Sequence, residues 1–309
     1  MLQLPGVARI DELSPEWAWG GATGKGVRVA IVDSGVEADH PDLEGCVDAD
    51  AGAMFTLDEA GEPVATFGPH DDAFGHGTAC AGIIHRMAPE ARITSVRVLG
   101  AGLSGKAAVF LAGLGWAIEQ GFDVVNLSLG TTRRDWALAF YEMCDLAYFK
   151  GTFLVTAANN LPRPSFPSLF GSVASVACNL ATDPFRFHYN PAPPTEFLAR
   201  GIDVEVSWRG GGRMSSTGNS YAAPHLAGMA TLIKSKHPEL RPFQLKTVLW
   251  ATAANVQEAP SIAGRLTSAL SQTRMTTGPS RATSALRSLE RRPSAESGAP
   301  SGRPAQPAT

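Results

Sequence analysis

The alternation of short apolar runs with longer helical stretches is the feature that most restricts the fold of this chain. Residues 27–33 (VRVAIVD) and 92–99 (RITSVRVL) are rich in β-branched and apolar side chains, as is typical of parallel strands buried on both faces. Residues 105–121 have a helical composition and end at a glycine. Residues 136–150 again favour a helix, and residues 151–160 a strand. We therefore predict an α/β fold, with a mostly parallel sheet and helices on both of its faces.

The composition argues against several classes of function. With 44% hydrophobic residues in 309, the chain has enough apolar surface for a large core. A net charge of −3 gives no electrostatic basis for binding nucleic acid, and no run of 18 apolar residues is present. We therefore predict neither a nucleic-acid partner nor a membrane span. The first residues lack the basic start and apolar stretch of a secretory signal, so we expect a cytoplasmic protein.

The composition changes near residue 271. Residues 271–309 are rich in Ser, Pro and Ala, contain six arginines and two glutamates, and have almost no large apolar side chains. Such a segment cannot bury enough surface to offset its chain entropy. We predict one folded domain over residues 1–270 and a disordered tail over residues 271–309.

Four cysteines are far apart in the sequence and form no CxxC pair. This spacing suits neither a zinc site nor the disulfide framework of a secreted protein. We predict four free thiols: Cys46, Cys80, Cys144 and Cys178.

Three polar residues stand out at the ends of predicted elements. Asp33 ends a buried strand, His76 lies between two glycines at the start of an apolar helix, and Ser220 precedes a predicted helix over residues 221–238 whose first turn contains Pro224. A carboxylate, an imidazole and a hydroxyl are the groups needed to activate a serine nucleophile. Taken singly, the three residues also fit an exposed turn or cap, a solvated loop histidine and a helix N-cap.

The local sequences around these residues resemble the subtilisin-like (subtilase) serine proteases. The resemblance rests on DSG at Asp33, HGT at His76, G-x-S-x-A-x-P-H at Gly218 to His225, and the order Asp, His, Ser along the chain. It covers about residues 5–255 and includes LGAGLSGKAAVFLAGLGWAIEQGFDVVNLSLG. It implies the three-layer subtilisin-like fold and a serine endopeptidase.

The resemblance also implies roles for individual residues. Ser220 matches the nucleophile, His76 the general base and Asp33 the carboxylate that orients it. Asn160 matches the side-chain donor of the oxyanion hole, with Asn159 as the alternative. The residues that match the substrate-binding strand and pocket are Ser128, Leu129, Gly130, Ala157 and Ala158.

The chain departs from the family pattern at three places. Asn159 stands where a glycine is usual, and asparagine is the non-glycine residue that best tolerates a left-handed backbone. Asn219 precedes the nucleophile where Thr is common, and we expect its amide to assist the oxyanion in place of the Thr hydroxyl. The long calcium-binding loop that interrupts the helix after HGT in calcium-dependent relatives is missing, so Asp42 would lack its partner ligands. We predict no metal and no cofactor.

Three functions remain open from the sequence. The first is a serine endopeptidase acting on a peptide or protein substrate, which we expect to be a dedicated precursor or leader peptide, or a partner protein. The second is a weakly active or inactive scaffold that binds peptides. The third is a peptide ligase or macrocyclase that uses the same triad. A metalloenzyme is poorly supported, because none of the seven histidines lies in an HExxH pattern.

Overall fold

Parallel strands form the centre of a nine-stranded sheet in this computed structural model, which describes residues 12–192 and 194–258. The strands of this sheet are β1 (Arg28–Asp33), β2 (Ala53–Leu57), β3 (Pro63–Phe67), β4 (Arg92–Arg97), β5 (Val124–Leu127), β6 (Phe153–Ala157), β7 (Ala174–Asn179), β8 (His188–Tyr189) and β9 (Phe197–Arg200). Their spatial order is β3-β2-β4-β1-β5-β6-β7-β9-β8. All neighbouring pairs are parallel except β2–β3 and β8–β9, which are antiparallel pairs at the two edges.

A separate antiparallel hairpin, seven α-helices and two short 3₁₀ helices (Pro41–Leu43 and Arg134–Trp136) complete the regular elements of the described residues. The hairpin consists of β10 (Val204–Trp208) and β11 (Gly212–Ser216). The helices are α1 (Pro15–Trp19), α2 (His76–Met87), α3 (Ala107–Glu119), α4 (Ala137–Lys150), α5 (Asn219–Lys236), α6 (Pro242–Thr252) and α7 (Ala254–Gln257). None of the described helices is long and apolar enough to cross a membrane. The tail predicted for residues 271–309 lies outside the described residues.

The sheet is buried on both faces by helices, which confirms the predicted three-layer α/β architecture. Successive side chains of β1 enter opposite cores: Ile31 packs in a cluster with residues of α2 and α5, and Val32 in a second cluster with residues of α3 and α4. This double burial explains why the strands are apolar runs without polar alternation.

Strands β2, β3 and β4 lie on one side of β1, and β5 and all later strands of the sheet lie on the other side. The strand order therefore reverses at β1. In open α/β sheets, ligands bind beyond the carboxyl ends of the strands at such a reversal. Asp33 is the last residue of β1, so its side chain lies at this position.

The predicted start of α5 was wrong by two residues. The helix begins at Asn219, not at Tyr221, and Ser220 is its second residue; Gly218 is the N-cap, and no side chain caps the helix. Ser220 is therefore not an N-cap. Pro224 lies in the second turn and not in the first, so the backbone carbonyl of Ser220 finds no N–H four residues later.

Helix α2 approaches β1 unusually closely at Gly77. A Cβ atom on Gly77 would lie 1.9 Å from the carbonyl oxygen of Gly35 and 3.3 Å from the Cβ of Asp33. Only a residue without a side chain permits this approach, which holds the start of α2 against the end of β1.

We expect Gly77→Ala to destabilise the fold by about 2 kcal/mol or more, because α2 has to move away from backbone atoms that cannot yield. The measurement is urea unfolding beside Gly171→Ala, an exposed glycine whose added Cβ would meet no atom within 4 Å. Equal stability of the two variants would contradict the importance of this contact.

Candidate functional site

A buried carboxylate–imidazole pair joins β1 to α2. The side chain of Asp33 is fully buried, and His76, the first residue of α2, is 3% exposed. The Nδ1 atom of His76 lies 2.9 Å from both carboxylate oxygens of Asp33, and the Ser34 backbone N–H donates to Oδ1 at 2.7 Å. The carboxylate accepts, so Nδ1 carries the proton and Nε2 is left free to accept one.

The charge of Asp33 controls the protonation of His76. Burial disfavours the imidazolium, but the adjacent carboxylate of Asp33, together with Cys80, more than offsets this and raises the pKa of His76 well above 6.5. The imidazole is thus arranged to take up a proton readily.

The sequence reasoning missed Asp72, which organises the backbone around this pair. Asp72 is 6% exposed, and its carboxylate accepts hydrogen bonds from the hydroxyls of Ser34 and Thr78 and from the backbone N–H groups of Phe74, Gly75 and Thr78. It satisfies N–H groups at the start of α2 that have no partner within the helix. The signal was in the sequence, since an acidic residue just before a helix is typical of such a role.

Ser220 lies beside the pair, in the first turn of α5. The ring of Tyr221, the next residue, has its centroid 5.3 Å from that of His76. The carbonyl of Ser220, which Pro224 leaves without a helical partner, accepts a hydrogen bond from the Ser128 hydroxyl at 2.8 Å. Ser128 was predicted to bind substrate, and its side chain additionally fixes the backbone of Ser220.

Two further buried groups support this arrangement. The side-chain amide of Asn126, on β5, donates to the Ser128 hydroxyl at 2.9 Å. The thiol of Cys80 lies 3.4 Å from the same hydroxyl, 3.7 Å from the Ser220 carbonyl oxygen and 3.9 Å from Nδ1 of His76. The thiol also lies 4.0 Å from Oδ2 of Asp33, so the three candidate triad residues are gathered around it.

Within the described residues, one group of side chains has the spacing of metal ligands, namely Asp33, His76 and Cys80, whose ligand atoms lie within 4.8 Å of one another. Burial raises the pKa of the Cys80 thiol, so a metal ion would have to displace a tightly held proton to bind it. The Asp33 carboxylate and His76 Nδ1 are already hydrogen-bonded to each other. This group fits proton transfer better than metal binding.

Asn160, and not Asn159, is the amide next to Ser220. An atom placed at the Cβ position of Gly218 would lie 3.4 Å from Oγ of Ser220 and 3.7 Å from Nδ2 of Asn160. Asn160 Oδ1 accepts the Asn219 backbone N–H at 2.9 Å, which leaves the NH₂ group of this amide as the free end. The side chain of Asn159 instead accepts the Leu161 backbone N–H within its own turn.

Of the two asparagines that depart from the family pattern, Asn159 needs no special backbone and Asn219 does not have the orientation that we expected. Asn159 is not among the described non-glycine residues with positive φ, so the substitution of glycine here needs no left-handed backbone. The amide of Asn219 does not point to an oxyanion position, because its NH₂ group donates to the carbonyls of Ala158 and Asn159. The competing backbone acceptors, which lie in a distant segment of sequence, decided its orientation.

A cavity of about 180 Å³ opens beside Ser220. All five residues predicted to bind substrate line it, together with both candidate amides: Ser128, Leu129, Gly130, Ala157, Ala158, Asn159, Asn160, Ser165 and Ser220. The site thus combines a hydroxyl, an imidazole, an amide and an adjoining cavity.

Asp42, the candidate calcium ligand, is engaged by other groups. Both of its carboxylate oxygens accept hydrogen bonds from Arg213 on β11, at 2.6 and 2.9 Å, and Ser207 on β10 donates at 2.7 Å. The hydrogen bond from Arg213 is the largest influence on the carboxyl and, with that from Ser207, outweighs burial and lowers the pKa of Asp42 to about 2. The guanidinium supplies positive charge where a cation would need free oxygens, so the residues do not fit a calcium ion.

A second cavity, of about 580 Å³, is separate from the candidate triad. It lies next to the Asp42–Arg213 pair, and its lining includes Arg86, Arg200 and Glu205. Acidic and basic side chains are mixed along its lining, so the lining favours no ligand of one charge. The volume of the cavity alone does not identify it as a substrate site.

Sequence comparisons with known proteins agree on one family. The sequence model of the subtilase family matches residues 24–265. The subtilisin of Bacillus pumilus is 32% identical over 249 residues, which are 75% of this chain and 86% of that protein. Subtilisin E of Bacillus subtilis (strain 168) is 31% identical over 248 residues, 75% of this chain and 62% of that protein. The match thus spans less than two thirds of the length of Subtilisin E.

Solved structures resemble the chain in fold. The S41 psychrophilic protease is 28% identical with a TM-score of 0.63, and the match covers 74% of this chain and 82% of that one. A cold-adapted subtilisin-like serine proteinase has a TM-score of 0.60 at 22% identity, with 80% and 93% covered, which supports the fold alone.

We expect Arg213→Met to lower the midpoint of thermal unfolding, because it leaves the Asp42 carboxylate without its main partner. The folded-state pKa of Asp42 is lowered from 3.8 to about 2, so this stabilisation is present at neutral pH and lost as the pH falls through that range. Differential scanning calorimetry against pH measures the difference between wild type and variant, with Arg133→Met, which breaks an exposed ion pair, as the control. A difference between wild type and Arg213→Met that does not shrink as the pH falls would contradict the importance of this pair.

Proposed function

The chain belongs to the subtilase family of serine proteases, and we propose that it is a serine endopeptidase in which Asp33, His76 and Ser220 act as the catalytic triad. The observation that carries the proposal is the buried hydrogen bond between Asp33 and His76 Nδ1, with the His76 ring packed next to that of Tyr221, the residue after Ser220. This bond leaves Nε2 as the only ring nitrogen that can act as a base towards a hydroxyl.

The first half of the reaction forms an acyl-enzyme. Ser220 Oγ attacks the carbonyl carbon of the scissile peptide while its proton passes to His76 Nε2, and Asp33 stabilises the resulting imidazolium. The carbonyl oxygen becomes an oxyanion within reach of the Asn160 NH₂ group and the N-terminal end of α5. The tetrahedral intermediate then collapses, the C–N bond breaks, and His76 returns the proton to the leaving amine.

The second half releases the product by the same proton transfers. Water attacks the acyl carbon, gives its proton to His76 Nε2, and the proton finally returns to Ser220 Oγ as the C–O bond to serine breaks. If an amine took the place of water, the product would be a ligated peptide. The residues are the same in both cases, so the products have to be analysed to distinguish hydrolysis from ligation.

The substrate is proposed to bind as an extended strand along Ser128, Leu129 and Gly130, which follow β5. Backbone hydrogen bonds of this kind hold a peptide regardless of sequence, while pockets for side chains supply selectivity. The 180 Å³ cavity next to Ser220 would receive the side chain before the scissile bond.

Labelling with a fluorophosphonate tests the nucleophile. We expect the wild type to be labelled, Ser220→Ala to be unlabelled, and His76→Ala to be labelled at least about 100-fold more slowly, since general-base assistance contributes roughly 10²–10⁴-fold. In-gel fluorescence over time measures the rate, and circular dichroism verifies folding. A folded wild type that resists labelling would favour the peptide-binding scaffold.

The pH dependence of kcat/KM tests the pairing of Asp33 with His76. The neutral imidazole is the base, so the rate falls as the pH drops through the pKa of His76, and we expect this midpoint above 6.5. Asp33→Asn removes the carboxylate that raises this pKa and should lower both the rate and the midpoint. A midpoint that does not move would mean that another group titrates.

A cytoplasmic location and a single dedicated precursor stay predictions from the sequence. Incubation with casein tests the second of them, because rapid general degradation would contradict narrow specificity.

A further inference from the structure

The side chain of Asn219 makes an unusual set of bonds for a residue next to a nucleophile. It is 8% exposed and directs its amide away from the cavity. Oδ1 accepts the backbone N–H of Cys178, on β7, at 2.8 Å. Nδ2 donates to the backbone carbonyls of Ala158 at 3.2 Å and Asn159 at 3.1 Å.

The backbone of Asn219 extends this connection to the third residue of the same turn. Its N–H donates to Oδ1 of Asn160 at 2.9 Å. One residue therefore contacts Ala158, Asn159 and Asn160, the first three residues after β6, and is covalently joined to Ser220. It fixes the spacing between the nucleophile and the amide donor, which come from different elements.

The backbone N–H of Asn219 determines which way the amide of Asn160 faces, and the side-chain bonds of Asn219 hold the turn that carries Asn160. Because Oδ1 of Asn160 is held by an N–H donor, its NH₂ group is the end that remains for an oxyanion. A turn that moved by about 1 Å would misplace this donor, and errors of that size cost about 100-fold in rate.

We infer that Asn219 is a positioning residue that holds the Asn160 amide in register with Ser220, and that it acts on the transition state through Asn160. The inference rests on the proposed function, because it assigns a role within that reaction. A single hydroxyl cannot replace this side chain, since the position requires one acceptor and two donated hydrogen bonds at the same time.

A double-mutant cycle of Asn160 and Asn219 tests the coupling, with kcat and KM measured on one peptide substrate. Asn160→Ala should lower kcat about 10²–10³-fold, as expected for the loss of one oxyanion donor. Asn219→Ala should lower kcat about 10- to 100-fold and leave KM within about twofold, because the donor interacts only with the transition state. In a protein that already carries Asn160→Ala, adding Asn219→Ala should lower kcat less than about threefold.

Two further variants separate positioning from stability. Asn255→Ala is the matched control, since the Asn255 amide likewise bonds a backbone N–H and a carbonyl, both of Tyr189, but does not line the cavity at Ser220. Asn219→Asp keeps the size of the side chain and the acceptor for Cys178, yet sets a carboxylate oxygen against two carbonyls. Asn219→Asp should lower kcat about as much as Asn219→Ala does. In a protein that also carries Asn160→Ala, Asn219→Asp should cause little further loss of kcat.

Multiplicative losses in the double variant, an unchanged kcat in both Asn219 variants, or a loss of the same size in Asn255→Ala would overturn the inference. If Asn219→Ala does not fold, Asn219→Asp decides the question by the same cycle. An active wild type with unaffected Asn219 variants refutes only the positioning role. A folded wild type that neither hydrolyses peptides nor reacts with a fluorophosphonate refutes the proposed function and, with it, this inference.

Discussion

The buried hydrogen bond between Asp33 and His76 is the constraint on which the surrounding structure depends. A fully buried carboxylate is costly unless it is paired and hydrogen-bonded, so the end of β1 and the start of α2 have to meet closely. The absence of a side chain at Gly77 permits this approach, and Asp72 satisfies the backbone N–H groups that the start of α2 would otherwise leave unpaired. The rest of the site is arranged around the orientation that this bond gives the imidazole.

The other half of the site depends on the first turns of α5. Pro224 cannot donate to the Ser220 carbonyl, and Ser128 takes its place, so a local irregularity in the helix becomes a bond to the segment after β5. Asn219 makes the corresponding bonds to the segment after β6. Neighbouring parallel strands end at the same edge of the sheet, and this explains how segments far apart in sequence supply one compact site.

The sequence predicted the buried strands and the helices that flank them because these elements have strong, regular patterns. Hydrophobic patterning did not predict the hairpin of β10 and β11, because the side chains of β11 are largely exposed. This hairpin nevertheless supplies Arg213 to Asp42. The start of α5 was misplaced because the Asn219 backbone N–H is satisfied by Asn160, 59 residues earlier, and no local capping pattern records that contact. The orientation of the Asn219 amide was mispredicted because its acceptors, the carbonyls of Ala158 and Asn159, are likewise distant in sequence.

By itself, the sequence determined the α/β architecture, the family and the identity of the residues at the candidate triad, because hydrophobic periodicity and short motifs are local properties of the chain. Only the tertiary structure decided which amide lies beside Ser220, that Asp42 is paired with a guanidinium, and that Asn219 bonds the turn after β6 instead of facing the cavity. Each of these depends on which of several possible hydrogen-bond partners is brought near by folding, and a polar side chain takes the partner whose distance and direction the folded backbone provides.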